Sequence, residues 1–329
     1  WGIGWSHQNM FYDLQRSVAR KPIFNSENHL QPDGSISYVP PEHYRTALWQ
    51  GAIHGQGATT IWVWERTLER SHKDYAASVP FYGNVMDRPG CAQEVGTTCL
   101  DLNRFAEEVT ALQNVRAPVA LVYSMASYAR NDAYLDFLNR AYAAINFCGV
   151  KVDFISEKQF AEGKGSEYRV LILPNVTNLE RSTFESLLGL PETVRLVSLG
   201  EIAIRDPYGN MFSPEESNRI AERTLVLPTD EISEALWHDI RAELLRASSL
   251  PNVRVVDAET GEPVWGVEWL PAKVGDRTIV NIVNLLNESR EIKLMLRGET
   301  VNARDLLSFG GKREVRRLEP ITPVLAEIR

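Results

Sequence analysis

The sequence has no long hydrophobic run and fewer basic than acidic residues. No apolar stretch approaches the roughly 20 residues that a helix needs to cross a bilayer. Acidic residues number 43 and basic residues 35, which gives a net charge of −8 at pH 7. Nucleic acids and anionic membranes both favour clustered Lys and Arg, so the composition argues against either as a partner.

Cysteine is also scarce. Cys91, Cys99 and Cys148 are an odd number in a long chain, which favours a reducing compartment over a disulfide scaffold and predicts a cytoplasmic protein. Cys91 and Cys99 are near in sequence, but without a nearby pair of histidines two thiols at this spacing make a poor zinc site. We therefore expect plain thiols, no metal and no cofactor.

The length of the chain, in contrast, is ample. A chain of 329 residues can form two or three domains, and 44% hydrophobic and 24% charged residues are ordinary for a globular protein. The chain opens on Trp1-Gly2-Ile3-Gly4-Trp5, with no solvated lead-in. Because this opening is typical of the middle of a domain, we expect a fragment or one half of a split enzyme.

The first candidate for chemistry is Glu27. An apolar pair, Ile23-Phe24, predicts a strand within 21–30 and leads into the polar cluster Asn25-Ser26-Glu27-Asn28-His29. In (β/α)8 barrels the C-terminal ends of the strands hold the catalytic groups. The position therefore favours a catalytic carboxylate, and the alternative is a glutamate that only caps the following loop.

A helix and a second strand follow this cluster. The helix begins near Pro41, where a proline without an N–H is harmless, and ends at Gly55. The strand is predicted over 58–64. Another helix, predicted over 101–114, carries an apolar stripe and closes the first region, residues 1–114.

Two further regions are predicted. Over 115–250, apolar strands alternate with helices, which indicates a small doubly wound parallel sheet. Its strands are predicted at 119–124, 152–155, 169–174 and 194–198. Over 251–329, short strands separated by turn signals indicate an antiparallel β-domain. We expect the cores of these two regions to be self-contained, so that 115–329 would fold without the rest.

Three segments, in their order along the chain, resemble those of one protein family. They are Tyr12-Asp13-Leu14-Gln15-Arg16-Ser17, then Lys21-Pro22 through Glu27, then His54-Gly55 through Trp64-Glu65-Arg66. Together they resemble the last third of the barrel in glycoside hydrolase family 42, whose members are mostly β-galactosidases. The resemblance covers the whole chain as the C-terminal half of such an enzyme. It implies an α/β fold: part of a (β/α)8 barrel at 1–114, a flavodoxin-like or amidotransferase-like domain at 115–250, and an antiparallel β-domain at 251–329.

The resemblance also implies a mechanism and partners. It assigns Glu27 as the nucleophile of a retaining enzyme, in which two carboxyl groups lie about 5 to 5.5 Å apart. The acid/base would follow an earlier barrel strand and so lie outside this chain, on a missing segment or on a second chain that completes the barrel. The family trimerises through its second domain, which implies a homotrimer. The expected substrate is a carbohydrate.

Candidate sugar contacts flank the two strand ends. The resemblance and the chemistry of the side chains point to Asn28, Trp64, Glu65, Glu69 and His72. Tryptophan faces stack on sugar rings and the polar groups bond hydroxyls. Core packing is the alternative for the tryptophan, and for Glu65 it is an ion pair with its neighbour Arg66.

Other residues near the two strand ends are weaker candidates for sugar contacts. Trp62 is expected to share a face with Trp64, although an ordinary core tryptophan is favoured for it. His29 could also bond sugar hydroxyls, but a lone loop histidine is more often solvated. We further expect the apolar inner faces of Ile23, Ile61 and Val63 to lack cover.

Two competing functions stay open. One is a non-catalytic assembly or carbohydrate-binding module, with the partial barrel as a relic. The other is a related glycosidase with different specificity, such as a β-glucosidase, a β-mannosidase or an agar-degrading exo-enzyme. The second region itself is predicted to be structural, because no cysteine occupies the turn after the strand at 194–198.

Overall fold

The structure is a computed structural model that describes residues 7–30, 39–64, 85–86, 88–202, 204–227, 233–308, 310 and 313–328. Its N-terminal unit contains α1 (His7–Ala19), β1 (Ile23–Asn28), α2 (Pro41–Ile53), β2 (Gln56–Ile61), α3 (Pro89–Arg104) and α4 (Ala106–Gln113). Strands β1 and β2 pair in parallel, with α2 as the connection between them. This is the strand, helix and strand order that the sequence predicts.

The N-terminal unit differs from prediction in three details. Strand β2 ends at Ile61, so Trp62 and Trp64 follow the strand and do not alternate along it. The helix predicted over 101–114 is divided at Phe105 between the end of α3 and α4, and residues 89–100 of α3 were not predicted. Ile23, expected to lack cover, is only 7% exposed, whereas Phe24 beside it is 62% exposed. Phe24 lines a cavity together with Tyr123 and Met125.

The central unit is a five-stranded parallel sheet. Its elements are β3 (Val119–Tyr123), α5 (Met125–Arg130), α6 (Tyr134–Asn146), β4 (Val152–Ser156), α7 (Glu157–Ala161), β5 (Val170–Pro174), α8 (Arg181–Leu188), β6 (Arg195–Leu199), α9 (Pro214–Arg223), β7 (Thr224–Leu227) and α10 (Glu234–Arg246). The strand order is β4-β3-β5-β6-β7. The inner strands are almost wholly apolar because helices cover both faces.

The third unit is antiparallel. Its strands are β8 (Val253–Asp257), β9 (Val267–Val274), β10 (Arg277–Asn284), β11 (Arg290–Leu296), β12 (Glu299–Val301), β13 (Ala303–Asp305), β14 (Arg317–Leu318) and β15 (Pro323–Ile328). One sheet has the order β13-β15-β10-β9, and the other has the order β12-β11-β14 with β8 also paired to β11. The predicted mixture of a parallel sheet and antiparallel sheets is confirmed.

The cores of the second and third units are not self-contained, contrary to expectation. Met10 of α1 lies in the core of the central unit. Trp49 and Ile53 of α2 share one buried cluster with Leu270 of β9 and Ile279 of β10. The indole Nε1 of Trp49 also donates to Asn281 Oδ1 at 2.8 Å. Burying a large apolar side chain contributes about 1.5–3 kcal/mol. Separating the N-terminal unit would therefore expose apolar surface on the antiparallel unit.

No helix in the described ranges is both long and apolar enough to cross a membrane.

Candidate functional site

Glu27 stands on an irregularity of β1 at the rim of the two-stranded sheet. Asn25 pairs with Thr59 and Asn28 pairs with Ile61, so β1 has one residue more than β2 between the two pairs. Such a β-bulge changes the direction of the side chains it carries. The carboxylate of Glu27 is 58% exposed, and its Oε2 lies 3.7 Å from Nε2 of His29. The structure thus puts the predicted nucleophile next to last in a parallel strand.

The residues after Glu27 tie the two strands together. The carbonyl of Asn28 accepts the N–H of Trp62 at 3.0 Å, and the rings of His29 and Trp62 lie 6.1 Å apart. Asn28 is 3% exposed. The predicted contact of its amide with a sugar would require this side chain to turn out of a buried layer, so the structure does not favour that contact.

Trp64 lies at the same rim. It is 40% exposed, and its carbonyl accepts the N–H of Met86 at 3.1 Å. A half-exposed indole at a rim offers a flat apolar face to a ligand. The remaining predicted contacts, Glu65, Glu69 and His72, lie outside the described residues.

A second cluster of ionisable groups, which the sequence did not reveal, lies where the three units meet. His54, at the end of α2, places Nδ1 2.6 Å from Asp13 Oδ2 and Nε2 2.8 Å from Glu268 Oε1. Tyr142 donates to Asp13 Oδ2 at 2.7 Å, and the ammonium of Lys151 lies 2.5 Å from Asp13 Oδ1. We call these five residues the junction cluster. Each of their three units contributes at least one member.

The junction cluster is balanced in charge and shielded from water. Burial disfavours the charged forms, but the carboxylates of Asp13 and Glu268 outweigh it and raise the pKa of His54 from 6.5 to about 9. At Asp13, burial is outweighed by Lys151 and then His54, which lower the pKa from 3.8 to about 2. Burial and the charge of Asp13 raise the pKa of Tyr142 well above 10. Two cations therefore face two carboxylates.

The burial of this cluster assigns it a structural role. The side chains of His54, Asp13 and Glu268 are at most 5% exposed, so a substrate does not reach them. Asp13 and His54 belong to segments that carry the family resemblance, but the sequence assigned neither of them a role. The available signal was an aspartate among the apolar positions of α1, which indicates a buried carboxylate that needs partners.

The adjoining residues of α1 serve the same assembly. Ser17 accepts the N–H of Phe154 from β4 at 2.9 Å. Arg16 donates to the carbonyl of Gln113 at 3.2 Å and to Asn114 Oδ1 at 2.8 Å. The Asp-x-x-Arg-Ser segment therefore fastens α1 to its neighbours.

At the carboxyl edge of the central sheet, where open α/β folds usually bind ligands, polar side chains bond one another beside a cavity that Phe24, Tyr123 and Met125 help to line. The hydroxyl of Ser124 lies 2.8 Å from both Glu157 Oε1 and the carbonyl of Asn178. Glu157 Oε2 accepts the N–H of Glu180 at 2.8 Å. Within the described ranges, no group of three His, Cys, Asp or Glu side chains could hold a metal ion.

Comparison with known proteins gives matches in structure alone. No protein-family model and no curated protein sequence matches the chain. The family 42 exo-carrageenase from Bacteroides ovatus aligns with a TM-score of 0.79 at 23% identity, over 98% of this chain and 44% of its own. Gan42B, a family 42 β-galactosidase from G. stearothermophilus, aligns with a TM-score of 0.70 at 15% identity, over 100% of this chain and 57% of its own.

A third structure agrees with these two. The cold-adapted β-galactosidase from Rahnella sp. R3 aligns with a TM-score of 0.69 at 15% identity, over 99% of this chain and 58% of its own. The chain thus shares its fold with family 42 glycoside hydrolases over nearly its whole length, and the predicted resemblance is confirmed for the fold. It spans about half the length of the structures it matches.

Proposed function

We propose that this chain is part of a glycoside hydrolase that cleaves β-linked glycosides with retention, and that β-galactosides are its substrates. The observation that carries the proposal is the position of Glu27, next to last in a parallel strand of a fold shared with family 42 enzymes. A carboxylate in this position can attack an anomeric carbon and form a covalent glycosyl-enzyme.

The proposal gives the N-terminal unit the role of a partial (β/α)8 barrel. Residues 1–114 would be its last units, with 115–250 and 251–329 as separate domains. A barrel has eight strands, and the described residues of this unit contain two. The acid/base would therefore come from outside this chain, from the rest of a longer polypeptide or from a second chain.

Substrate contact is proposed for Trp64, and for Glu65, Glu69 and His72 on sequence alone. The support for Trp64 is its exposed indole, which follows the strand that pairs with the strand of Glu27. An indole face stacks on the apolar face of a galactose ring, while carboxylates and imidazoles bond its hydroxyls.

Covalent labelling tests the nucleophile directly. The protein in its full natural length would be incubated with 2-deoxy-2-fluoro-β-galactosyl fluoride, whose fluorine at C2 slows hydrolysis of the glycosyl-enzyme. We expect mass spectrometry to find one fluorosugar on the peptide that contains Glu27, and none in the Glu27→Gln variant. A label on another carboxylate would refute the assignment. Glycan binding without labelling or turnover would favour the non-catalytic alternative.

A second candidate is an exo-acting enzyme on carrageenan. It is favoured by the higher TM-score of the exo-carrageenase, 0.79 against 0.70 for Gan42B. Both candidates would use Glu27 as nucleophile, so the labelling experiment does not separate them. The two candidates are separated by measuring rates on carrageenan oligosaccharides and on an aryl β-galactoside. Release of sugar from the ends of the oligosaccharides, with no turnover of the galactoside, would favour the exo-acting enzyme over the β-galactosidase.

We also propose that the central unit forms a homotrimer contact. Support comes from strand β7, which lies at the end of its sheet with Leu225 41% and Val226 48% exposed. An edge strand with exposed apolar side chains favours association. Light scattering should give three copies, and Val226→Lys should lower the mass. The matched control is Leu245→Lys, at an exposed leucine on α10 of the same unit, which should leave the mass unchanged.

A further inference from the structure

The segment around Glu27 contains a set of side-chain bonds that the proposed function does not use. The amide Nδ2 of Asn25 donates to the hydroxyl of Tyr12 at 2.8 Å. The Oδ1 of the same amide accepts the backbone N–H of Glu27 at 3.1 Å. One side chain therefore connects helix α1 to the backbone of the candidate nucleophile.

These bonds act on the bulge of β1. The extra residue lies between Asn25 and Asn28, where the regular ladder is interrupted and Glu27 lacks a register partner on β2. Because a bulge leaves backbone groups out of the ladder, it needs other partners to keep one conformation. Asn25 provides such a partner for the N–H of Glu27.

Tyr12 is itself fixed. The residue is 7% exposed, and its hydroxyl also accepts a hydrogen bond from Nε2 of Gln56 at 3.2 Å. Burial raises the pKa of Tyr12, with the Asn25 hydrogen bond opposing it, so the hydroxyl stays neutral. Gln56 begins β2, so one hydroxyl joins both strands from the helix side.

Helix α2 has a glycine, Gly51, where the side chains of Gln56 and Tyr12 approach it closely. A Cβ added to Gly51 of α2 would overlap Gln56 Oε1 and lie 3.5 Å from the ring of Tyr12. Glycine at this position lets the side chain of Gln56 lie against α2 and reach Tyr12.

We propose that Asn25, held by Tyr12, is a positioning residue that fixes the bulge and aims the carboxylate of Glu27. The inference rests on the proposed function. Asn25 does not touch the reacting atoms: it constrains the backbone from which the nucleophile extends. Since misplacement by about 1 Å can cost about 10²-fold in rate, a fixed bulge is a requirement for in-line attack.

The kinetic test uses the protein in its full natural length and dinitrophenyl β-galactoside, whose leaving group needs no acid. We expect Asn25→Ala to lower kcat about 10²-fold with KM within about two-fold. Tyr12→Phe should lower kcat about ten-fold, since Asn25 keeps its bond to Glu27 but loses its anchor. The control is Tyr134→Phe, which removes another buried hydroxyl, one bonded to Val122 in the central unit, and should leave kcat unchanged.

A second measurement does not depend on activity. Amide hydrogen exchange on the same proteins should show the N–H of Glu27 exchanging faster in Asn25→Ala than in the Tyr134→Phe control. If Glu27→Gln is inactive while Asn25→Ala matches the control in kcat and in exchange, the positioning role is refuted and the proposed function stands. If Glu27→Gln turns over at the parent rate, the proposed function fails, and this inference fails with it.

Discussion

The rim around Glu27 and the junction cluster around His54 each place at least one carboxylate near a histidine, but the two sites differ in burial. At the rim, Glu27 is 58% exposed and lies 3.7 Å from His29. At the junction, His54 is 4% exposed and lies within 2.8 Å of two carboxylates. The rim can receive a ligand, whereas the junction is closed by three packed units.

The comparison shows that strongly perturbed groups need not mark a catalytic site. Shifted pKa values are common in active sites, but buried structural ion pairs produce them as well. Here the pKa of His54 is raised to about 9 and that of Asp13 is lowered to about 2 at a position with no access for substrate. Access, and not the size of the shift, identifies the candidate active site in this molecule.

The sharpest test of the comparison is removal of one carboxylate from the rim. Glu27→Gln should lower turnover of aryl galactosides by the full-length protein about 10³-fold or more, because the amide cannot form the glycosyl-enzyme. Its melting temperature should stay near that of the parent, since the side chain is exposed. Glu299→Gln, an exposed glutamate on β12, is the matched control. If the two variants are equally active, Glu27 is not catalytic, and the rim is no longer distinguished from the junction as the candidate active site.

The junction should show the reverse pattern. His54→Ala leaves Glu268 Oε1 with Gln50 but without a cation, and should lower the free energy of unfolding by about 3–5 kcal/mol. Urea denaturation measures the loss. His238→Ala removes a histidine of α10 that is 56% exposed and 3.8 Å from Glu234, and should cost no more than about 1 kcal/mol. A loss below about 1 kcal/mol at His54 would show that the cluster is dispensable.

The junction cluster also predicts a pH window of stability. His54 has a folded pKa above its unfolded value, so its contribution is complete below pH 6.5 and lost as the pH rises through about 9. This loss amounts to about 3 kcal/mol at about 1.4 kcal/mol per pH unit. Asp13 has a lowered pKa, so its contribution is complete above pH 3.8 and lost as the pH falls through about 2. Denaturation curves measured from pH 3 to 10 should show the parent protein losing stability at alkaline pH, and His54→Ala should not show this loss. If the variant loses stability at alkaline pH as the parent does, groups other than His54 cause the loss.

The smallest expected effect concerns the link between α1 and the central sheet. Ser17→Ala removes the acceptor of the Phe154 N–H and should lower the free energy of unfolding by about 1 kcal/mol. Ser186→Ala, in an exposed bond within α8 to Ser182, is the control and should change it less. A larger effect at Ser186 would contradict the view that Ser17 links α1 to the central sheet.

Most of the elements could be predicted from the sequence. Apolar strands such as Val119–Tyr123 and Val170–Pro174 were found because a buried parallel strand is continuously apolar. The misses have local causes. Strand β7 is four residues long and begins where the charged helix α9 ends, so neither its length nor its surroundings gave a signal.

The candidate site was predictable only in part. The position of Glu27 at a strand end followed from the apolar pair before it. The bulge and the hydrogen bonds of Asn25 that fix it could not be predicted, because nothing in the pattern of β1 shows that Asn25 bonds Tyr12, 13 residues earlier. The burial of Asn28 was also missed, since an irregular register changes which side chains face the helices.

The sequence by itself determined the periodic elements, the mixture of parallel and antiparallel sheets, and the carboxylate at the end of β1, because these depend on neighbours within a few residues. Only the tertiary structure decided that His54 meets Glu268, 214 residues away, and that the three units share buried surface. The physical reason is that a buried charge is tolerated only where packing brings its partner within hydrogen-bond distance, and packing is a property of the whole chain.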